Sequence, residues 1–180
     1  LGHCLGVAPE SLAFGAGTNG RPALAGTDPP PGFDFNLTNT RGLVAIAVVR
    51  DGDVEVDVEG LDRAVESLDL AERYFSPGEI AALRALPAPR QSERFLELWT
   101  LKEAYLKARG TGLALPLDAF TIDPAGREPS IRFDARLEDD PARWRFFRTR
   151  PTPGHLLAVA LRTSRAGVAC TFHPPGLPPA

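Results

Sequence analysis

The stretch Trp99-Thr100-Leu101-Lys102-Glu103-Ala104-Tyr105-Leu106-Lys107 contains both lysines of this 180-residue chain. Every other basic residue is an arginine. A composition this rich in arginine retains an ammonium where a planar guanidinium cannot replace a compact point charge. The two lysines therefore mark this stretch as the first place to look for a functional site.

Apolar residues recur at helical spacing around the lysines and predict a long helix, capped at Ser92, running through Arg109 and stopping at Gly110. Within it, Glu103 and Lys107 are four residues apart and share one face. They form either an ordinary surface ion pair worth about 0.3–0.5 kcal/mol, or a site in which Glu103 reaches a cation and the lysines bind phosphate oxygens. Tryptophan one turn before Glu103 favours a partly buried face.

A second acidic pattern lies upstream, where four acids alternate with three valines. Because side chains of a strand alternate between its faces, the pattern predicts a strand with all four carboxylates on one face. A solvated outer face would explain this, and so would a hard cation that neutralises the inner acids. Mg²⁺ prefers oxygen ligands, which Asp57 and Glu59 could supply. The four acids are Asp53, Glu55, Asp57 and Glu59.

The rest of the sequence predicts alternating short elements. Residues 1–32 are rich in glycine and proline and predict loops after a short opening helix. Asp51-Gly52 predicts a hairpin between strands at 43–49 and 54–58. Helices are predicted over 61–75 and from Pro77 to about Leu86, the second with a capping box of Ser76 and Glu79. Five short strands of an antiparallel sheet are predicted at 119–122, 131–133, 143–148, 156–161 and 168–172.

Composition excludes several classes of protein. A hydrophobic content of 43% is enough to bury a core. The net charge of −3 argues against nucleic-acid binding, which depends on an excess of basic residues. The longest apolar run has only the length of a strand and no secretory signal is visible, so we expect a cytoplasmic protein without a membrane span. Cys4 and Cys170 form neither a disulfide framework nor a metal-binding spacing.

Five segments, in this order and at this spacing, resemble the surfactin-type 4'-phosphopantetheinyl transferases: FNLTNT (35–40), VDVE (56–59), AERYFS (71–76), WTLKEAYLK (99–107) and GTGL (110–113). The resemblance implies an α+β fold built as a pseudo-twofold pair of α/β lobes with the site in the cleft. It places residues 1–53 in the latter part of an N-terminal lobe and 54–180 in the C-terminal lobe. The first lobe would then be incomplete in this chain.

The resemblance also implies an activity, the transfer of 4'-phosphopantetheine from coenzyme A to a serine of an apo acyl or peptidyl carrier protein. Adenosine 3',5'-bisphosphate is released, as in enzymes of the holo-(acyl-carrier-protein) synthase type. The implied Mg²⁺ ligands are Asp57, Glu59 and Glu103. Lys102 and Lys107 would contact coenzyme A phosphates, and Glu103 would also help remove the serine proton, which makes Glu103 and Lys107 the implied catalytic residues.

Three positions depart from the family pattern. Arg21 stands where lysine is usual before proline and would still bind the nucleotide of coenzyme A. Asn39 stands in place of a phosphate-binding histidine, so it can donate a hydrogen bond but carries no charge. Glu55 replaces a glycine and adds a carboxylate beside Asp57. Asn39, Glu55 and the incomplete first lobe motivate a rival hypothesis, a non-catalytic relative that binds coenzyme A or a carrier protein.

An unrelated magnesium-dependent phosphohydrolase is a third hypothesis, which accounts for the acids and lysines but not for the ordered motifs. Under the transferase hypothesis we expect a monomer that acts on a carrier protein and binds neither nucleic acid nor membrane.

Overall fold

The structure is a computed structural model that describes residues 1–17, 20–26, 28–62, 67–110 and 115–173. Its helices are α1 (Gly2–Leu5), α2 (Ser67–Tyr74), α3 (Pro77–Arg84) and α4 (Ala88–Arg109). Its strands are β1 (Ala13–Ala16), β2 (Pro22–Ala25), β3 (Phe33–Thr40), β4 (Leu43–Arg50), β5 (Asp53–Gly60), β6 (Phe120–Asp123), β7 (Ser130–Phe133), β8 (Trp144–Thr149) and β9 (His155–Arg162). No helix in these ranges is long and apolar enough to cross a membrane.

A three-stranded antiparallel sheet of order β5-β9-β8 lies at the centre of the fold. Both of its faces are covered, because β9 is apolar at nearly every position. Leu156, Ala158 and Ala160 join the core formed with α4. Leu157, Val159 and Leu161 point to the opposite face and join a second core with the valines of β5. This division determines which side of β5 faces the long helix.

Strand β5 shows the predicted alternation, but its acidic face is solvated only at the Asp53 end. Glu55 lies opposite Ala160, Asp57 opposite Ala158 and Glu59 opposite Leu156 in the ladder with β9. Directly opposite residues of an antiparallel pair project from the same face. The acids therefore share the face on which α4 packs, and Glu55 and Asp57 are buried.

Strands β3 and β4 form a separate hairpin in which every second residue of β4 packs on the second core. Side chains, and not a backbone ladder, tie this hairpin to the central sheet. Asp34 Oδ2 accepts a hydrogen bond from the amide of Val54 at 2.8 Å, and Asn36 Oδ1 accepts one from that of Val56 at 3.3 Å. The predicted hairpin between 43–49 and 54–58 is therefore wrong, since β4 pairs with β3 and β5 pairs with β9.

The helix predictions are largely correct. The capping box at α3 is present, with Ser76 accepting from the Glu79 amide and Glu79 accepting from the Ser76 amide. Helix α4 ends at Gly110, which has a φ of 67° as a left-handed cap requires, but it begins at Ala88 and not after Ser92. The helix predicted over 61–75 spans Ser67–Tyr74, and residues 63–66 lie outside the described part.

The predicted antiparallel orientation of the strands is correct, but the prediction did not give their division between sheets. Four of the five predicted C-terminal strands are present and antiparallel, but they divide between the central sheet and a β6-β7 pair. Residues 168–172 do not form a strand. The β1-β2 hairpin occupies part of the 1–32 region that was predicted to be loop. The mixture of small antiparallel sheets and helices confirms the α+β class.

Candidate active site

The acidic face of β5 meets α4 at an ion pair between Lys107 Nζ and Asp57 Oδ1. The sequence allowed an ion pair between Lys107 and Glu103 within the helix. In the structure Lys107 instead pairs with Asp57 and so connects α4 to β5. The Lys107 side chain is 42% exposed whereas that of Asp57 is 8% exposed. The Lys107 side chain therefore lies partly at the surface, where a second anion could approach it.

Asp57 has one carboxylate oxygen without a partner. Its Oδ1 is held by Lys107, while Oδ2 is buried and accepts no hydrogen bond from the described residues. Most buried polar atoms in proteins are hydrogen-bonded, and an exception requires an explanation such as a bound ion. An oxygen that is buried and lacks a donor is suited to a cation.

Glu103 lies half-buried on the same face of α4 and within the electrostatic field of the strand acids. Burial raises the pKa of its carboxyl, Asp57 and Glu59 raise it further, and Lys107 partly offsets them. The Glu103 carboxylate is thus close enough to both strand acids to be repelled by them. A divalent cation would relieve that repulsion.

The donor chemistry therefore fits Mg²⁺, whose preferred ligands are oxygens. Asp57, Glu59 and Glu103 would hold it. Among the residues described, no three acidic, cysteine or histidine side chains are already arranged as a formed metal centre.

Arg21 is engaged by two carboxylates from neighbouring strands. Its guanidinium donates to both oxygens of Asp34, at 2.9 and 2.8 Å, and to the carbonyl of Val54 at 2.7 Å. Its Nε lies 2.7 Å from Glu55 Oε1, an ion pair that lacks hydrogen-bond geometry. Sequence reasoning noted Glu55 only as a departure and missed this pairing, which no local spacing reveals. Coenzyme A binding by Arg21 stays a prediction.

The environment of Glu55 raises the pKa of its carboxyl to about 6, mainly through burial. Arg21 and Lys107 lower that pKa while Asp34 raises it. Arginine does not fully compensate the burial, since it is shared with Asp34. The ionised form of Glu55 is therefore destabilised by burial at a position next to the site.

Asn39 lies on β3 opposite Val44, with an exposed side chain. Its contact with coenzyme A stays a prediction.

Lys102 requires a correction. Its side chain has no exposed surface, and its Nζ donates to the carbonyls of Leu117 and Phe120 at 2.8 Å each. The same ammonium lies 2.9 Å from Glu79 Oε2. This placement contradicts the prediction that Lys102 contacts a coenzyme A phosphate, because a fully enclosed ammonium with three oxygen partners cannot reach a ligand at the surface. The neighbouring positions on a helix point about 100° apart, which separates Lys102 from Glu103.

Comparison with known proteins identifies a family. Residues 54–160 match the family model described as the 4'-phosphopantetheinyl transferase superfamily. The 4'-phosphopantetheinyl transferase HetI of Nostoc sp. (strain PCC 7120 / SAG 25.82 / UTEX 2576) is 35% identical over 161 residues, which cover 89% of this chain and 65% of that protein. A 4'-phosphopantetheinyl transferase of Bacillus subtilis is 32% identical over 117 residues, which cover 65% of this chain and 50% of that protein.

The fold has a relative among solved structures. The crystal structure of the Thermotoga maritima holo-(acyl-carrier-protein) synthase superposes with a TM-score of 0.50 at 21% identity, over 62% of this chain and 63% of that chain. This likeness shows a shared fold. The chain spans between half and about two thirds of the length of the two curated relatives described above. Because the family match extends over residues 54–160, more than half of the sequence, the chain belongs to the 4'-phosphopantetheinyl transferase superfamily.

Proposed function

We propose that this protein transfers 4'-phosphopantetheine from coenzyme A to a serine of an apo acyl or peptidyl carrier protein, in the presence of Mg²⁺. The observation that carries the proposal is the convergence of Asp57, Glu103 and Lys107 from β5 and α4, with Asp57 Oδ2 accepting no hydrogen bond from the part of the chain that the structure describes. All three residues lie in the segment that matches the family.

The reaction exchanges a phosphoanhydride bond of coenzyme A for a phosphoester bond to serine. The serine oxygen attacks the phosphorus that carries pantetheine, the new O–P bond forms, and the diphosphate P–O bond breaks. Adenosine 3',5'-bisphosphate leaves with the bonding electron pair. The serine proton must pass to a base, and we assign that role to Glu103, a half-buried carboxylate that lies close to Asp57 and Lys107.

Phosphoryl transfer of this kind depends mostly on positioning and on stabilising charge. Lys107 is suited to bind a phosphate oxygen, because it combines an exposed ammonium with a fixed anchor at Asp57. Mg²⁺ held by Asp57, Glu59 and Glu103 would supply further neutralisation of the diphosphate. Arg21 and Asn39 are proposed to bind the nucleotide end of coenzyme A.

The proposal extends to the organisation of the protein. We infer a division into lobes at residues 1–53 and 54–180, supported by the separate β3-β4 hairpin on one side and the sheet with α4 on the other. A monomeric state, a cytoplasmic location and the holo-(acyl-carrier-protein) synthase subtype are further predictions of the same hypothesis.

Mass spectrometry of the carrier protein tests the function. Apo carrier protein incubated with coenzyme A, Mg²⁺ and this protein should gain the mass of one phosphopantetheinyl group. Asp57→Ala or Glu103→Gln should abolish the gain while leaving the fold intact. Asp53→Asn, an exposed acid on the same strand face, is the matched control and should retain activity.

Two outcomes would contradict the proposal. Binding of coenzyme A without any mass gain on acyl and peptidyl carrier proteins would favour the non-catalytic alternative. Full transfer by Asp57→Ala, or transfer unaffected by exhaustive chelation, would place the chemistry elsewhere.

A further inference from the structure

A buried ion pair lies one residue away from the proposed base. Lys102 and Glu79 are 0% and 2% exposed. The Lys102 ammonium has three N–H donors and three oxygens within reach, one from Glu79 and two from the Leu117 and Phe120 carbonyls. It is therefore fully satisfied inside the protein.

The Glu79 carboxylate is equally well satisfied. Its Oε1 accepts from the amide of Ile122 at 2.8 Å. Its Oε2 accepts from the amide of Ser76 at 2.9 Å and from the Ser76 hydroxyl at 3.0 Å. Through this pair, the start of α3, the middle of α4 and the start of β6 are joined at one point.

A gain in folding stability does not by itself explain why the protein contains this buried ion pair. Replacing a buried ion pair with apolar residues of similar volume is often neutral or stabilising, because removing two charges from water is costly. An apolar side chain could pack against the Phe120 ring, whose centre lies 4.1 Å from the Lys102 ammonium, but it would leave the Leu117 and Phe120 carbonyls without this donor. An apolar residue would make no directional hydrogen bonds, so it could not fix the rotation of α4 about its axis.

The rotation of α4 matters because this helix places Glu103 and Lys107 next to the acids of β5. Side chains extend about 5–6 Å from a helix axis, so a rotation of about 10° moves their ends by about 1 Å. A misplacement of about 1 Å at a reacting centre can reduce a rate about 100-fold. Lys102 anchors the helix by hydrogen bonds immediately before Glu103 and thereby limits such rotation.

We propose that Lys102 and Glu79 are positioning residues that set the rotation of α4, so that Glu103 and Lys107 meet Asp57 in the geometry that transfer requires. The proposal rests on the proposed function and adds two residues to it. It also separates the roles of the two lysines: Lys107 acts at the ligand, and Lys102 acts through the helix.

The test is a comparison of steady-state kinetics below the melting temperature. Lys102→Met and the double variant Lys102→Met/Glu79→Gln should lower kcat by about 10- to 100-fold, as is typical for groups that orient a site. KM for coenzyme A should stay within about threefold, because neither side chain touches the ligand. The double variant leaves no uncompensated carboxylate and serves where the single variant does not fold.

Tyr105→Phe is the matched control on the same helix. It removes the hydrogen bond from the Tyr105 hydroxyl to Asp139, 2.9 Å long, which ties α4 to the chain at a different point from the Lys102–Glu79 pair. We expect a loss of stability with kcat unchanged.

The outcomes are separable. An inactive parent protein refutes the proposed function itself. With an active parent, unchanged kcat in folded Lys102→Met or in the double variant overturns the positioning role. A rise in KM for coenzyme A without a fall in kcat would instead support direct contact between Lys102 and coenzyme A. An equal fall in kcat in Tyr105→Phe, or failure of both Lys102 variants to fold at low temperature, would reduce the pair to a structural role.

Discussion

Replacement of Glu55 by glutamine should stabilise the protein at neutral pH. The side chain is 6% exposed, and burial raises the pKa of its carboxyl from the ordinary 4.5 to about 6. Ionised Glu55 therefore costs free energy in the folded protein despite its ion pair with Arg21. Glutamine has nearly the same shape and no charge, so the variant removes that cost.

The magnitude follows from the difference between the two pKa values. A difference of about 1.5 corresponds to about 2 kcal/mol. Loss of the Arg21 ion pair offsets part of this, although Arg21 retains both bonds to Asp34. We expect the free energy of unfolding of Glu55→Gln to exceed that of the parent by about 1 kcal/mol, which is about 2–4 °C in Tm for a chain of this size.

The sign of the pH dependence can be stated in advance. Because the folded pKa is the higher one, the folded state binds more protons than the unfolded state between about pH 4.5 and 6. The contribution of Glu55 to stability is therefore present below pH 4.5 and lost as pH rises towards 6. The advantage of the variant should be near zero at pH 4.5, grow through that window and be constant above it.

Urea unfolding of parent and variant across pH 4.5–8 measures this advantage. A chelator must be present, since a cation bound at Asp57 would lower the pKa of Glu55. Asp53→Asn is the control, because that acid is exposed, and its stability should differ from the parent by less than about 0.5 kcal/mol. A variant less stable than the parent at pH 7.5, or an advantage independent of pH, would refute the reasoning.

Three further predictions concern single positions. Lys107→Arg should lower kcat/KM for coenzyme A about tenfold, because a guanidinium cannot occupy the ammonium's place beside Asp57; activity equal to the parent in both Lys107→Arg and Lys107→Ala would leave Lys107 only an ion-pair partner. Asn39→His should tighten coenzyme A binding several-fold, most at low pH where imidazole is charged, with no gain for dephospho-coenzyme A in calorimetry; equal gains for both ligands would place Asn39 away from the 3'-phosphate. Gly110→Ala should destabilise the protein by about 1 kcal/mol in thermal unfolding, since its φ is 67°, whereas Gly78→Ala at the start of α3 should not; equal effects would contradict the capping argument.

Local elements were the most predictable part of the protein. The capping box at Ser76 and the left-handed Gly110 depend on backbone groups within a few residues, so the sequence contains the whole interaction. The alternation of acids and valines in β5 followed for the same reason, since the period of a strand is local. Strand partners were not predictable in this way. The Asp51-Gly52 turn indicated a reversal, but the neighbour of β5 is β9, about 100 residues later.

The candidate site was likewise predictable only in part from the sequence. Sequence motifs predicted Asp57, Glu103 and Lys107 as site residues, and all three lie within the segment that matches the family. They could not distinguish the two lysines, because both lie on one helix within five residues of each other. Lys102 faces a carboxylate and two carbonyls in the interior, whereas Lys107 faces Asp57 at the surface.

By itself the sequence determined the class of the fold, the family and the residues with chemistry to offer, because periodicity, caps and ordered motifs are properties of neighbours along the chain. Only the tertiary structure decided which charges meet. Arg21 meets Glu55 and Asp34, and Lys102 meets Glu79, across gaps of 13 to 34 residues that no spacing rule connects. Burial set the consequences, since an acid or an ammonium removed from water must find a partner, shift its pKa or bind an ion, and the identity of the partner depends on how the elements pack.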